Sequence, residues 1–147
     1  MPLDRLESPG HIVNYLARLF ARALYRRIGE HGVNTGQFPV LLRLWEEDGV
    51  TQASLVEDLA VEQPTMAGTL KRMERDGLIK RVADPNDGRQ SHIHLTRRGR
   101  TLEEALVSSA RETNTVALAG LTATETTQFV KLVKRMIENL EQDTRQD

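Results

Sequence analysis

At Gly77 the apolar pattern of the chain changes from a repeat of three and four to strict alternation. Upstream, Leu55 and Leu59, and then Met66, Leu70 and Met73, recur at helical spacing, separated only by Ala60-Val61-Glu62. Thr51 supplies a hydroxyl cap before the first run, and Pro64 opens the second, where a missing N–H costs least. Downstream, Leu78-Ile79-Lys80-Arg81-Val82 and Ser91-His92-Ile93-His94-Leu95 read as two short strands. Between them, Asp84-Pro85-Asn86-Asp87-Gly88 is dense in turn formers: proline pre-sets one turn dihedral and glycine supplies positive φ. Residues 51–98 are therefore expected to form a helix, a brief connector, a second helix and a β-hairpin with Arg89 just past its tip.

The flanks are helical. Ser8-Pro9 reads as an N-cap and first-turn proline, followed by Ile12, Leu16, Leu19, Phe20 and Ala23 at helical spacing as far as Gly29 and Gly32. A second helix is expected from near Thr35, with Phe38, Leu41, Leu42 and Trp45 on one face and Asp48-Gly49 as its stop. Thr96 caps a long helix marked by Leu102 and Leu106. Thr122-Ala123-Thr124-Glu125 has the form of a capping box. After it, Phe129, Leu132, Val133, Met136, Ile137 and Leu140 hold one stripe over three turns. The expected fold class is mainly α (α+β), ordered as four helices, a hairpin and two further helices.

Charge is distributed unevenly along the 147 residues, although the net value is only −1. Residues 63–100 carry nine basic side chains against four acidic ones, while the segments on either side are each net acidic. A positive field confined to one segment suits a phosphate-facing surface, though a solvated basic face is commoner than a binding one. The absence of cysteine excludes disulfides, thiolate metal sites and thiol redox sensing. No apolar run approaches the ~20 residues that span a bilayer, and no signal-like segment opens the sequence, so a cytoplasmic protein without a membrane partner is expected.

An enzyme is not expected. The sequence has no phosphate-cradling glycine loop, no nucleophile motif and no helix-borne carboxylate pair with a partner base, and no cofactor is implied. His92 and His94 share one strand face, but no third ligand of clear spacing accompanies them, so no metal site is assigned. Arg18, Arg22 and Arg26 repeat along the first helix, where a solvated face is the expected role.

On the second helix of the central pair, Thr65, Gly68, Thr69 and Arg72 form a stripe beside the apolar one. Small and hydroxylated residues there would let the helix lie deep in a major groove, with Arg72 reaching guanine or phosphate. Arg89, on a narrow projecting hairpin with Asp84 and Asp87 to brace it, suits the negative potential of a minor groove.

The run from Gln63-Pro64-Thr65 to Leu78-Ile79-Lys80-Arg81 resembles the recognition helix and first wing strand of MarR/SlyA-type winged helix-turn-helix regulators. Asp84-Pro85-Asn86-Asp87-Gly88-Arg89 matches that family's wing signature, and Leu95-Thr96-Arg97-Arg98-Gly99 its wing exit. The likeness covers the chain by element order and is most specific over residues 50–99. It implies a DNA-binding domain at residues 33–96, flanked by dimerisation helices at 1–32 and 97–147. It implies a homodimer on a pseudo-palindromic operator, a repressor in the usual case, released by a small aromatic or phenolic ligand. Thr65, Thr69 and Arg72 would then face the major groove, Arg89 the minor groove, and Thr51, Gln52 and Ser54 the phosphates, with Gln63 and Pro64 also DNA-binding. His11, Tyr15, Phe38 and Trp45 are candidates for a ligand pocket, with core packing the commoner role for the last two. Ile12, Leu16 and Leu19, together with the stripe from Phe129 to Leu140, would close the dimer. Two alternatives stay open: a winged-helix module for protein contacts, and an architectural DNA binder with no small-molecule effector.

Overall fold

A computed structural model of the protein describes residues 1–146. These residues form two compact units, Met1–Thr113 and a second that begins at Asn114.

In the first unit, α1 (Pro9–Ile28) begins on Pro9, with Ser8 extended before it, although the Ser8 hydroxyl makes no capping bond. A short 3-10 turn (Gly29–His31) ends at Gly32, whose φ of 76° only glycine adopts readily. The expected helix start near Thr35 is displaced to Phe38. The Asn34 carboxamide captures the N–H groups of Gly36 and Gln37, each at 3.0 Å, and holds residues 34–37 as a turn. In α2 (Phe38–Glu46) the buried residues are Phe38, Val40, Leu41 and Leu44, whereas Leu42 lies on the exposed side.

Thr51 caps α3 (Gln52–Leu59) by accepting the Ser54 N–H at 3.1 Å. Ala60, in the left-handed region at φ 50°, turns the chain into α4 (Gln63–Arg75). The sheet comprises β1 (Val50–Thr51), β2 (Ile79–Ala83) and β3 (Ser91–Leu95), antiparallel in the order β1-β3-β2. The hairpin register runs from Ile79 opposite Leu95 to Ala83 opposite Ser91. The strand β1 was not expected; its two residues are too short to show alternation. It exists because Gly49 donates to the Ile93 carbonyl at 3.0 Å and lays Val50 opposite Ile93.

The core lies where these elements meet. Ile28, Leu41, Leu44, Leu55, Leu70, Met73, Ile93 and Leu106 are fully enclosed, each contributing about 1.5–3 kcal/mol of apolar burial. Above it, a polar knot fixes the end of α4. Gln37, only 2% exposed, donates its amide to Asp76 at 3.1 Å. Arg98 donates to the Asp76 carbonyl and, at 2.9 Å, to that of His31.

The expected long helix after Thr96 is a short α5 (Arg97–Thr101), Leu102, and then α6 (Glu103–Ala117), which continues past Thr113 into the second unit. Thr96 caps α5 by accepting the Gly99 N–H, and its own hydroxyl donates to the Gly77 carbonyl at 2.6 Å. This draws Gly99 against Leu78, just before β2, and the Gly99 carbonyl accepts the Trp45 indole N–H at 3.0 Å.

The second unit holds the last turn of α6, the turn at Gly120 and α7 (Ala123–Arg145). Thr122 and Glu125 form the expected capping box, with bonds of 2.9 and 3.0 Å. No described residue of α7 is buried, and Phe129, Leu132, Met136, Ile137 and Leu140 lie exposed along it.

A Cβ at position 99 would overlap the Leu78 carbonyl oxygen and stand 3.1 Å from the Leu95 side chain. Neither backbone nor strand can retreat cheaply, so Gly99→Ala is expected to destabilise the first unit by about 1–3 kcal/mol. Thermal unfolding should show the loss as a lower Tm; an unchanged Tm would mean that this junction is not tightly packed.

Candidate nucleic-acid interface

Three segments distant in sequence meet at one surface. Thr51, Gln52 and Ala53 from the start of α3, Gln63 from the start of α4, and Arg89, Gln90 and Ser91 from the hairpin line a cleft of about 220 Å³. The first turns of α3 and α4 carry backbone N–H groups with no helical partner, which suit anionic oxygens.

Along α4, Gln63, Pro64, Thr65 and Arg72 are exposed. Thr69, placed by its spacing on the same stripe, is only 8% exposed, because helical rotation brings it to the edge of the Met66, Leu70 and Met73 face. Gly68 makes room for Arg72: a Cβ there would stand 3.4 Å from the Arg72 guanidinium, which lies back along the helix. Ser54 keeps its hydroxyl toward Asp58, at 3.4 Å.

At the hairpin tip, Arg89 is 92% exposed. Asp87 accepts from both its backbone N–H and its side-chain Nε, each at 3.1 Å, and so orients the guanidinium outward. Asp84 does not share that task. One of its oxygens accepts the Asn86 and Asp87 N–H groups and shapes the turn. The other meets His92 Nε2 at 2.7 Å.

His92 has a specific role in the hairpin. Its Nδ1 lies 2.8 Å from the Gly49 carbonyl while Nε2 faces the Asp84 carboxylate. Both partners only accept, so both ring nitrogens must donate, which requires the imidazolium. The Asp84 carboxylate, and after it the Gly49 carbonyl, accordingly raises the His92 pKa above the ordinary histidine value. The His92 ring, and then the Asn86 N–H, lowers that of Asp84. His94 instead approaches Asp48 at 3.9 Å, so the two histidines of one strand take different carboxylates. Among the described residues, no group of three or more His, Cys, Asp or Glu side chains is placed to hold a metal.

Of the candidate effector residues, Phe38 is buried and meets Trp45 edge to face, with centroids 6.2 Å apart. The Trp45 N–H is taken by Gly99, so both residues pack the core. His11 is half-buried and Tyr15 exposed on α1. Sequence reasoning also missed Arg81. The available signal was an arginine at an inward position of an alternating strand, two residues after Ile79.

The MarR family profile matches residues 33–91, from before α2 through α4 and β2 to the first residue of β3. Transcriptional regulator HosA of Escherichia coli O157:H7 is 31% identical over 69% of this chain and 75% of its own length. The chain belongs to the MarR family. As a member it is a DNA-binding transcriptional regulator rather than an enzyme. It is also similar to the transcriptional repressor NicR of Pseudomonas putida, at 26% identity over 94% of this chain and 87% of NicR. Among solved structures, a MarR family regulator from Listeria monocytogenes complexed with 26mer DNA superposes with a TM-score of 0.85. It has 26% identity and covers 93% of this chain and 91% of that one. BpsR of Bordetella bronchiseptica, whose DNA binding is regulated by 6-hydroxynicotinic acid, gives a TM-score of 0.83. It has 26% identity, with 92% and 97% covered. No helix among the described residues is long and apolar enough to cross a membrane.

The His92–Asp84 pair gives a measurable pH dependence. The raised His92 pKa means its contribution to stability is complete below the ordinary value of about 6.5 and fades as pH rises through the raised one. The lowered Asp84 pKa means its contribution is complete above about 3.9 and fades as pH falls through the depressed one. An NMR titration of the His92 ring should therefore place its midpoint above the ordinary histidine value, and Asp84→Asn should bring it down. A wild-type midpoint at or below the ordinary value would refute the imidazolium assignment.

Proposed function

We propose that the chain is a homodimeric repressor that binds a pseudo-palindromic operator and is released by a small aromatic or phenolic ligand. The observation that carries the reading is the convergence of the α3 start, the α4 start and Arg89 on one cleft. In this reading α4 enters the major groove. Thr65 and Arg72 meet base edges there, Thr69 offers only its rim, and Gln63 and Pro64 lie at the groove wall. Thr51, Gln52 and Ser54 hold the phosphates, and Arg89, oriented by Asp87, takes the minor groove.

Residues 33–96 serve as the DNA-binding domain, and 1–32 with 97–147 as the dimerisation part. Support for pairing comes from apolar surface that each unit leaves uncovered by itself. On α1, Ile12 and Leu19 are exposed beside half-buried Leu16; on α7, the stripe from Phe129 to Leu140 is exposed beside half-buried Val133. Self-complementary faces of this kind close most simply about a two-fold axis. Support for repression and for ligand control comes from the similarity to NicR and to BpsR. His11 and Tyr15 remain the candidate ligand contacts on α1.

Selection of bound duplexes from a random pool, repeated with aromatic acids present, would yield the operator and its release. The bound sequences should be inverted repeats; asymmetric sites would count against the two-fold reader. On the selected duplex, Arg89→Ala is expected to weaken binding by about 1–3 kcal/mol with the oligomeric state unchanged. Undiminished affinity would remove Arg89 from the interface. Replacing Leu132 and Met136 together with glutamate should convert the dimer to a monomer in sedimentation analysis and reduce operator binding in parallel. A monomeric variant with full operator affinity would contradict the model.

A further inference from the structure

We infer that Arg81 is a positioning residue for DNA binding, which fixes the Gln52 amide so that its NH2 group faces the phosphate backbone. The inference rests on the reading that the start of α3 meets phosphates.

The strand register places Arg81 where an apolar residue belongs. Directly opposed residues of an antiparallel pair share a face. Arg81 lies opposite Ile93, and Ile79 opposite Leu95, and those three apolar partners are buried. Arg81 therefore points inward from β2. Its Nη1 donates to the Gln52 Oε1 at 3.3 Å, and its Nη2 reaches the Ala67 carbonyl of α4 at 3.5 Å. Its Nε is buried with no hydrogen-bond partner. An apolar side chain would occupy the same position without desolvating an N–H. What arginine adds here lies in its two outer nitrogens, which join β2 to α3 and α4.

The chemistry of the pair sets the direction of Gln52. A guanidinium has donors only, so the amide oxygen must be the end that faces it. A flipped amide would set NH2 against guanidinium N–H groups. With Oε1 held by Arg81, the free end of Gln52 is its donor. Phosphate oxygens only accept, so this is the end that suits them. Gln52 lines the same cleft as Gln63 and Arg89, so an oriented donor stands where a phosphate would lie.

A double-substitution cycle on the full chain, binding random-sequence duplex DNA at low salt, tests this where phosphate contacts dominate. Gln52→Ala and Arg81→Met should each weaken binding by about tenfold, the scale of one hydrogen bond to a charged group. The double variant should bind no more weakly than Gln52→Ala. The slope of log K against log salt should match the wild type throughout, since neither contact sets a cation on a phosphate. Arg81→Lys, which keeps one donor for Gln52, should restore most of the affinity. Thermal melting accompanies each variant, and Arg81→Leu, which likewise has no donor, replaces Arg81→Met if the latter does not fold. Additive losses would show that Arg81 acts apart from Gln52, and a slope reduced by about 0.9 would show that it meets phosphate itself; either result overturns the inference alone. Wild-type binding by Gln52→Ala would remove the α3 phosphate contact and this inference with it.

Discussion

The helix α4 is held in place by contacts at its C-terminal end. Asp76, the residue after α4, receives the Gln37 amide on its carboxylate and the Arg98 guanidinium on its backbone carbonyl. Arg75, and then Gln37, keeps that carboxyl below the ordinary aspartate range, so it stays an acceptor through the neutral range. Arg98 also holds His31, so the end of α1, the start of α2, the end of α4 and the start of α5 share one knot. The proposed role of α4, with Thr65 in its first turn and Arg72 in its last, needs that end immobile. The enclosed Gln37 and the buried Leu70 and Met73 make it so.

The same logic extends to the hairpin. Its strand β3 is tied through His92 to Gly49, just before β1; its turn is shaped by Asp84, and its tip arginine is oriented by Asp87. Arg89 is thus the exposed end of a polar chain running back to the first strand. Arg81 plays the matching part inside, reaching from β2 to α3 and α4. The surface proposed to meet DNA is built from separate segments, and polar side chains between them fix their relative positions. This is the preorganisation that binding a stiff, highly charged duplex rewards.

The second unit follows a different economy. The stripe on α7 is as regular as any in the chain, yet none of its described residues is buried, and Leu140 is 66% exposed. A helix of this length with a well-formed capping box and an uncovered apolar face is stable as local structure but incomplete as packing. The proposed pairing with a second copy would cover that surface.

Periodicity and turn chemistry alone determined the helices of the central pair, the two hairpin strands, the capping box at Thr122 and the exposed arginine at the tip. Each depends on residues within a few positions of one another, where backbone sterics and local hydrogen bonds dominate. Only the tertiary structure decided the rest. The strand β1 needed a partner more than forty residues away, the start of α2 yielded to a side chain at Asn34, and Asp84 was claimed by His92 rather than Arg89. Thr69 and Arg81 are by type a hydroxyl and a charge that suit a surface, and helix rotation and strand register turn them inward. Polar side chains have several satisfactory partners within reach, and which one they take depends on a three-dimensional arrangement that no local pattern encodes.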